Sequence, residues 1–149
     1  MRKVNYMKKR NLLVIIPALV ASLALTGAAG GCKKPDQNLR FEVYADDTGG
    51  KCNCNTGDLG ADEHLQGEAQ LLQVQYGTGG PGGHQYDTAH LVSTPWKQAK
   101  VVDGGRTTGY LHAQALDPAE SLIAAIYKDN ILLLACGGKG TVDCGTDLS

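Results

Sequence analysis

From Glu68 onward the chain runs in short alternating stretches, each closed by glycine, proline or an Asp-Asn pair, and this rhythm limits the fold more than anything else. Residues 69–76 set Leu72, Val74 and Tyr76 on one face. Residues 77–83 hold five glycines and read as a turn. Residues 85–92 alternate weakly, Pro95 turns the chain, and residues 96–102 follow as a strand. After Gly104 and Gly105, residues 107–115 place Thr108, Tyr110, His112 and Gln114 on one face. Gly109, Leu111, Ala113 and Ala115 take the other. A period of two lines opposite faces of a strand. Stops this frequent, with 20 glycines in the chain, point away from a helix bundle.

The clearest unit is a hairpin: residues 122–127, a tight turn at Lys128-Asp129-Asn130, and residues 131–136. Asp and Asn supply the left-handed backbone of a short turn, less cheaply than Asp-Gly. Residues 121–125 have helical propensity, but their place before a hairpin turn argues for strand. Residues 40–45 alternate and read as a first strand. The count reaches seven or eight strands at spacings of about 8–12 residues, which is the pattern of an antiparallel β-sandwich.

The N-terminus is an address. Arg2, Lys3, Lys8, Lys9 and Arg10 precede an apolar run over residues 12–25, and small residues lead from Thr26 to Cys32. This is the order of a secretory leader. Ala29-Gly30-Gly31-Cys32 resembles a lipobox, with Ala29 where leucine is usual. The expected division is a removed lipoprotein signal peptide over 1–31, a lipidated tether over 32–39, and a β domain over 40–149. Cys32 is the expected lipid acceptor, joining the protein to a membrane outside the cytoplasm. Cleavage after Ala29 and an uncut anchor are the rival outcomes; the apolar stretch is at the short end of what spans a bilayer. Lys33 is not the acidic residue that retains some lipoproteins on an inner membrane, so an outer membrane is expected where one exists.

The leader takes five of the 14 basic residues and none of the 15 acids, leaving nine against 15, a charge of −6. That balance argues against nucleic acid and against electrostatic binding to anionic lipid. Four cysteines remain: Cys52, Cys54, Cys136 and Cys144. An even number in an exported chain points to disulfides. One residue between Cys52 and Cys54 strains a bridge between them, so each is expected to pair with Cys136 or Cys144. Such bridges would staple residues 46–67 to the last strand.

Other chemistry is thinly supported. Cys52, Cys54 and His64 are the best metal candidates, but their spacing fits no strong motif, and disulfides with surface histidines explain them better. Asp46, Asp47, Asp58, Asp62 and Glu63 lack an EF-hand pattern and read as a solvated loop. The glycine run lacks Gly-Lys-Ser/Thr. Ser93, Ser121 and four histidines supply hydrolase residue types without a nucleophile elbow. No catalytic residue and no cofactor is expected. Trp96, the single tryptophan, is expected to fill the core.

Several short motifs come in a recognisable order. They are Gln73-Val-Gln-Tyr-Gly-Thr-Gly79, Ser93-Thr-Pro-Trp-Lys97, Tyr110-Leu-His-Ala-Gln114, Ile126-Tyr-Lys-Asp-Asn-Ile131 and the late Cys144. Together they resemble the extracytoplasmic domain of the mycobacterial membrane protein small (MmpS) family and related bacterial lipoproteins. The resemblance implies an immunoglobulin-like sandwich that assists lipid and siderophore exporters of the resistance-nodulation-division type. This chain departs from that family in its lipobox, where those proteins have a transmembrane helix, and in the Cys52/Cys54 loop. The expected function is an accessory or interaction domain for an envelope transport or assembly system, with an envelope protein as partner. A metal- or glycan-binding module and a purely structural lipoprotein are the alternatives.

Overall fold

In a computed structural model, residues 33–47, 59, 65 and 68–149 are described. They form eight antiparallel strands in two sheets, the expected sandwich: β1 (Gln37–Ala45), β2 (Leu71–Gly79), β3 (Gln85–Ser93), β4 (Trp96–Val102), β5 (Thr108–Ala115), β6 (Ser121–Lys128), β7 (Ile131–Lys139) and β8 (Thr141–Asp147). Sheet A has the order β4-β1-β6-β7 and sheet B the order β3-β2-β5-β8. Two hairpins, β2–β3 and β6–β7, stay within one sheet; the other connections cross between sheets. Each sheet therefore has two central strands that pair with partners distant in the chain.

Between the sheets lies the main core. Leu39, Phe41 and Val43 of β1 and Leu122, Ala124 and Ile126 of β6 meet Leu72, Val74, Leu111 and Ala113 from sheet B. Trp96 joins them as expected, in line with Tyr76 and Phe41, with ring centroids 5.2 and 5.4 Å apart. The inward set of β5 is the one its alternation predicts: Gly109, Leu111, Ala113 and Ala115 are all buried.

The β6–β7 turn is also as expected. Asp129 and Asn130 both take positive φ, at 50° and 66°. This double left-handed geometry matches the twist of the flanking strands. A third left-handed non-glycine residue, Leu91 at φ 53°, sits where β3 has one residue more than β2 between the pairs Leu72–Val92 and Val74–Ala89. It is a β-bulge on an edge strand.

Three expectations need correction. Gln37–Leu39 belong to β1 rather than to a tether, because Leu39 is buried in the core and pairs with both β4 and β6. Residues 77–79 extend β2, so the glycine turn is shorter than the glycine run. The third concerns disulfides: Cys136 is bonded to Cys144, not to Cys52 or Cys54. Cys136 faces inward on the edge of sheet A and Cys144 faces inward on the edge of sheet B. The corner at Gly138–Gly140 brings their Cα atoms to 5.7 Å. A side chain at Gly138 would strike the Thr141 carbonyl at 2.1 Å, so the corner closes only with glycine there. Cys52, Cys54, Cys32 and His64 lie outside the described residues.

Candidate functional site

The outer faces of the two sheets have opposite fates. Sheet A is covered. Leu59 and Leu65 are buried against Tyr44, Ile123, Ala125 and Tyr127, a second apolar cluster on the far side of β1 and β6. Residues 46–67, read from sequence as a long loop whose acids are solvated, thus contribute two leucines to a core, which that reading did not include. It also explains β6, where Leu122 through Tyr127 are all buried: both faces of the strand are packed.

Beneath this layer lies an ion cluster. Glu42 is 2% exposed and points outward from β1, with Arg40 Nε at 2.9 Å and Lys97 Nζ at 3.4 Å from Oε1. The Tyr44 hydroxyl donates to its Oε2 at 2.6 Å. The Arg40 guanidinium stacks 4.2 Å over the Tyr127 ring. Burial, and then the negative charge of Glu42, raise the Tyr127 hydroxyl above its usual 10.0. A buried carboxylate needs this much compensation. The Glu42 carboxylate itself is closed in by these partners, and the Tyr127 hydroxyl beside it accepts from the Leu59 N–H at 3.4 Å, tying the carboxylate to the outer layer.

Sheet B is open. Its outward residues fall into rows set by strand register. One row is Tyr86, Gly77, Tyr110 and Gly145. The next is Thr88, Gln75, His112 and Asp143. Gln73, Gln114 and Thr141 continue the third. Strand spacing and rise make this face about 14 Å across, and the three rows cover about 14 Å along the strands.

Gly77 has no side chain between its neighbours, and the Tyr86 and Tyr110 rings meet above it at 5.3 Å. His84 stacks on Tyr86 at 5.5 Å and 11°. The result is an aromatic cluster that bends at Tyr86, with the Tyr86 and Tyr110 ring planes 56° apart. Beside it, His112 Nδ1 donates to Asp143 Oδ1 at 2.6 Å and the Tyr110 hydroxyl donates to the same oxygen at 3.4 Å. Burial, followed by the charge of Asp143, raises the Tyr110 hydroxyl above its usual 10.0. Asp143 fixes which imidazole nitrogen faces it and leaves Nε2 as the ring's other polar atom. No hydroxyl or thiol is bonded to His112 among the described residues. Aromatic faces, amides and one His–Asp pair equip this surface to bind.

The sequence-derived candidates scatter. His84 and His112 belong to this face, His90 lies at the β3 bulge, and no group of three His, Cys, Asp or Glu side chains suited to a metal occurs among the described residues. Ser93 donates to the adjacent Thr94 carbonyl rather than facing a base. Sequence reasoning missed both Glu42 and the Tyr86–Tyr110 row. Alternation in β5 did place Tyr110 and His112 together, but the contribution of β3 required its register, which the bulge shifts.

No protein family, curated protein or solved structure matches the chain. Its own architecture describes the protein: an eight-stranded sandwich in which Leu59 and Leu65 pack on the outer side of β1 and β6 while the outer face of sheet B is open.

Proposed function

We propose that the protein is a lipid-tethered extracytoplasmic recognition domain, an accessory module of an envelope transport or assembly system, and that the outer face of sheet B is what it presents. The observation that carries this reading is the contrast between the faces: Leu59 and Leu65 pack on the outer side of β1 and β6, while sheet B leaves Tyr86 44% exposed within an aromatic cluster. Large aromatics with a polar tip are typical of recognition surfaces. The leader ending at Cys32 supports the tether, and the motif order shared with the MmpS family supports an accessory role. No helix among the described residues is long and apolar enough to cross a membrane.

A photo-reactive residue at Gln114, within this face, tests the reading in the native envelope. It should give a discrete cross-link that is lost in Tyr110→Ala, while the same probe at Val101 on the opposite sheet gives none. Cys32→Ala should release the protein from membranes without unfolding it. Equal cross-linking from both positions, insensitive to Tyr110, would remove sheet B from the account.

A further inference from the structure

We propose that the end of the sandwich formed by the turns at 80–84, 103–107 and 128–130 rests against the headgroups of a lipid bilayer, with the strands standing upright on it. The inference rests on the reading of Cys32 as a lipid-bearing cysteine and adds which surface of the domain meets the membrane.

Chain length is the first support. Only Lys33 separates Cys32 from Lys34. The Lys34 and Pro35 carbonyls already lie across Gly104, where a Cβ would strike the Pro35 oxygen and come within 2.7 Å of the Lys34 oxygen. Gln37 then opens β1, and its Nε2 donates to the Gly104 carbonyl at 3.2 Å. The acyl chains of a lipidated cysteine lie in the hydrocarbon, which holds the cysteine itself among the headgroups. Two residues of extended chain span at most about 7 Å. That is roughly the thickness of one headgroup layer, so the fold starts where the membrane surface is.

Topology is the second support, because it gathers one set of turns around Lys34. The Arg106 Nη1 donates to the Gly83 carbonyl at 2.9 Å, tying the β4–β5 turn to the β2–β3 turn. The Asp129 N–H donates to the Asn38 carbonyl at 2.9 Å, holding the β6–β7 turn beside the start of β1. Lys128 Nζ donates to the Leu148 carbonyl, which brings the end of β8 to the same place. These turns form one surface across both sheets. The β5–β6 turn closes the opposite end, one strand length or about 25 Å away.

The chemistry of this end is the third. Lys34, Arg106 and Lys128 are offset by Asp36, Asp103 and Asp129. A zwitterionic headgroup layer meets such a surface without net repulsion. His84 closes the β2–β3 turn, and the register row of Tyr86 and Tyr110 crosses β2 at Gly77, two residues from its end at Gly79. Aromatic rings with a polar tip suit the level where hydrocarbon gives way to water. The opposite end exposes leucines instead, Leu71 and Leu116. The outer face of sheet B then rises from the bilayer with Tyr86 and Tyr110 lowest and the Gln73–Gln114 row highest, so its partner is one held at the same membrane.

The test uses the protein purified from its own membranes and reconstituted in phosphatidylcholine vesicles that contain a nitroxide-headgroup lipid. A fluorescent amino acid at Pro81 should lose most of its emission, and one at Ala119 should lose almost none. Inserting twenty Gly/Ser residues after Lys33 adds about 25 Å of reach. It should bring the loss at Pro81 down to that at Ala119, with vesicle binding kept. Intact mass on the same samples reports the state of Cys32. With Cys32 lipidated, an unquenched Pro81 or equal quenching at both positions would overturn the inference and leave the tether standing. Quenching at Pro81 that survives the insertion would also overturn it, because chain length would not be what places the domain. An unmodified Cys32 would remove the tether and this inference together.

Discussion

Leu59→Ala measures directly whether the outer layer is part of the fold. Leu59 is 0% exposed and packs against Tyr127, Ile123 and Ala125 on sheet A. Truncation removes three carbons, each worth about 0.8 kcal/mol of transfer energy, or about 2.4 kcal/mol together. The hole left behind adds to this, since β1 and β6 are held by strand pairing and cannot collapse into it. A total of about 3 kcal/mol lies within the range for buried leucines. The hydrogen bond from Leu59 N–H to the Tyr127 hydroxyl is long, at 3.4 Å, and contributes little to the change. For a domain of this size the loss corresponds to a drop of about 10 °C in melting temperature. Urea unfolding followed by far-UV dichroism supplies the free energy, with Leu91→Ala as the surface comparison. Leu91 is 68% exposed, and its truncation should change stability by less than about 0.5 kcal/mol. If Leu59→Ala falls within the same narrow margin, Leu59 is not packed on sheet A and the description of a covered β1 and β6 is wrong.

Three further outcomes follow from the geometry. Cys136→Ala or Cys144→Ala should cost about 2.5 kcal/mol in the chain-entropy treatment of a bridge spanning 8 residues, read from the difference between oxidised wild type and variant in urea. Asn130→Val should cost about 1–2 kcal/mol because a β-branched residue opposes the φ of 66°, whereas Asn130→Gly should lie within about 1 kcal/mol of wild type. In an absorbance titration, Tyr110 and Tyr127 should ionise above the usual 10.0. Their folded pKa values are raised, so the associated stability is complete below the unfolded value and falls as pH rises through the folded values. Unfolding free energy that stays flat above about pH 10 would contradict this.

Much of the fold is legible because alternation reports one buried face per strand. Residues 72, 74 and 76 and the two sets in β5 fall as their pattern requires. Alternation fails where both faces are buried. In β1 the polar residues Arg40, Glu42 and Tyr44 hold the pattern of a solvated face, yet Glu42 is sealed from water because each neighbour neutralises or hydrogen-bonds it. Leu59 and Leu65 sit among acids, glycines and asparagine, so local composition hides two core residues that only a tertiary surface can recruit. The Cys136–Cys144 pairing is not legible in the sequence because it depends on a glycine corner between the sheets. The candidate site was half visible: β5 announces Tyr110 and His112, but Asp143 and Tyr86 join them only through pairing with β8 and β3.

The position of β1 has a temporal consequence. This strand is made early, yet it is central in sheet A, and its two neighbours are β4 and β6. Phe41 pairs with Gln98 on one side and Ile126 on the other, so completing one strand's hydrogen bonds means closing loops across most of the domain. Contacts of such sequence separation slow folding into the range of milliseconds to seconds. During synthesis, β1 can acquire its second neighbour only after Lys128 has emerged, and Leu59 has no completed surface to dock on before then. Sheet A of such a chain therefore stays incomplete until most of the domain has been made, and its early strand waits longest for its neighbours.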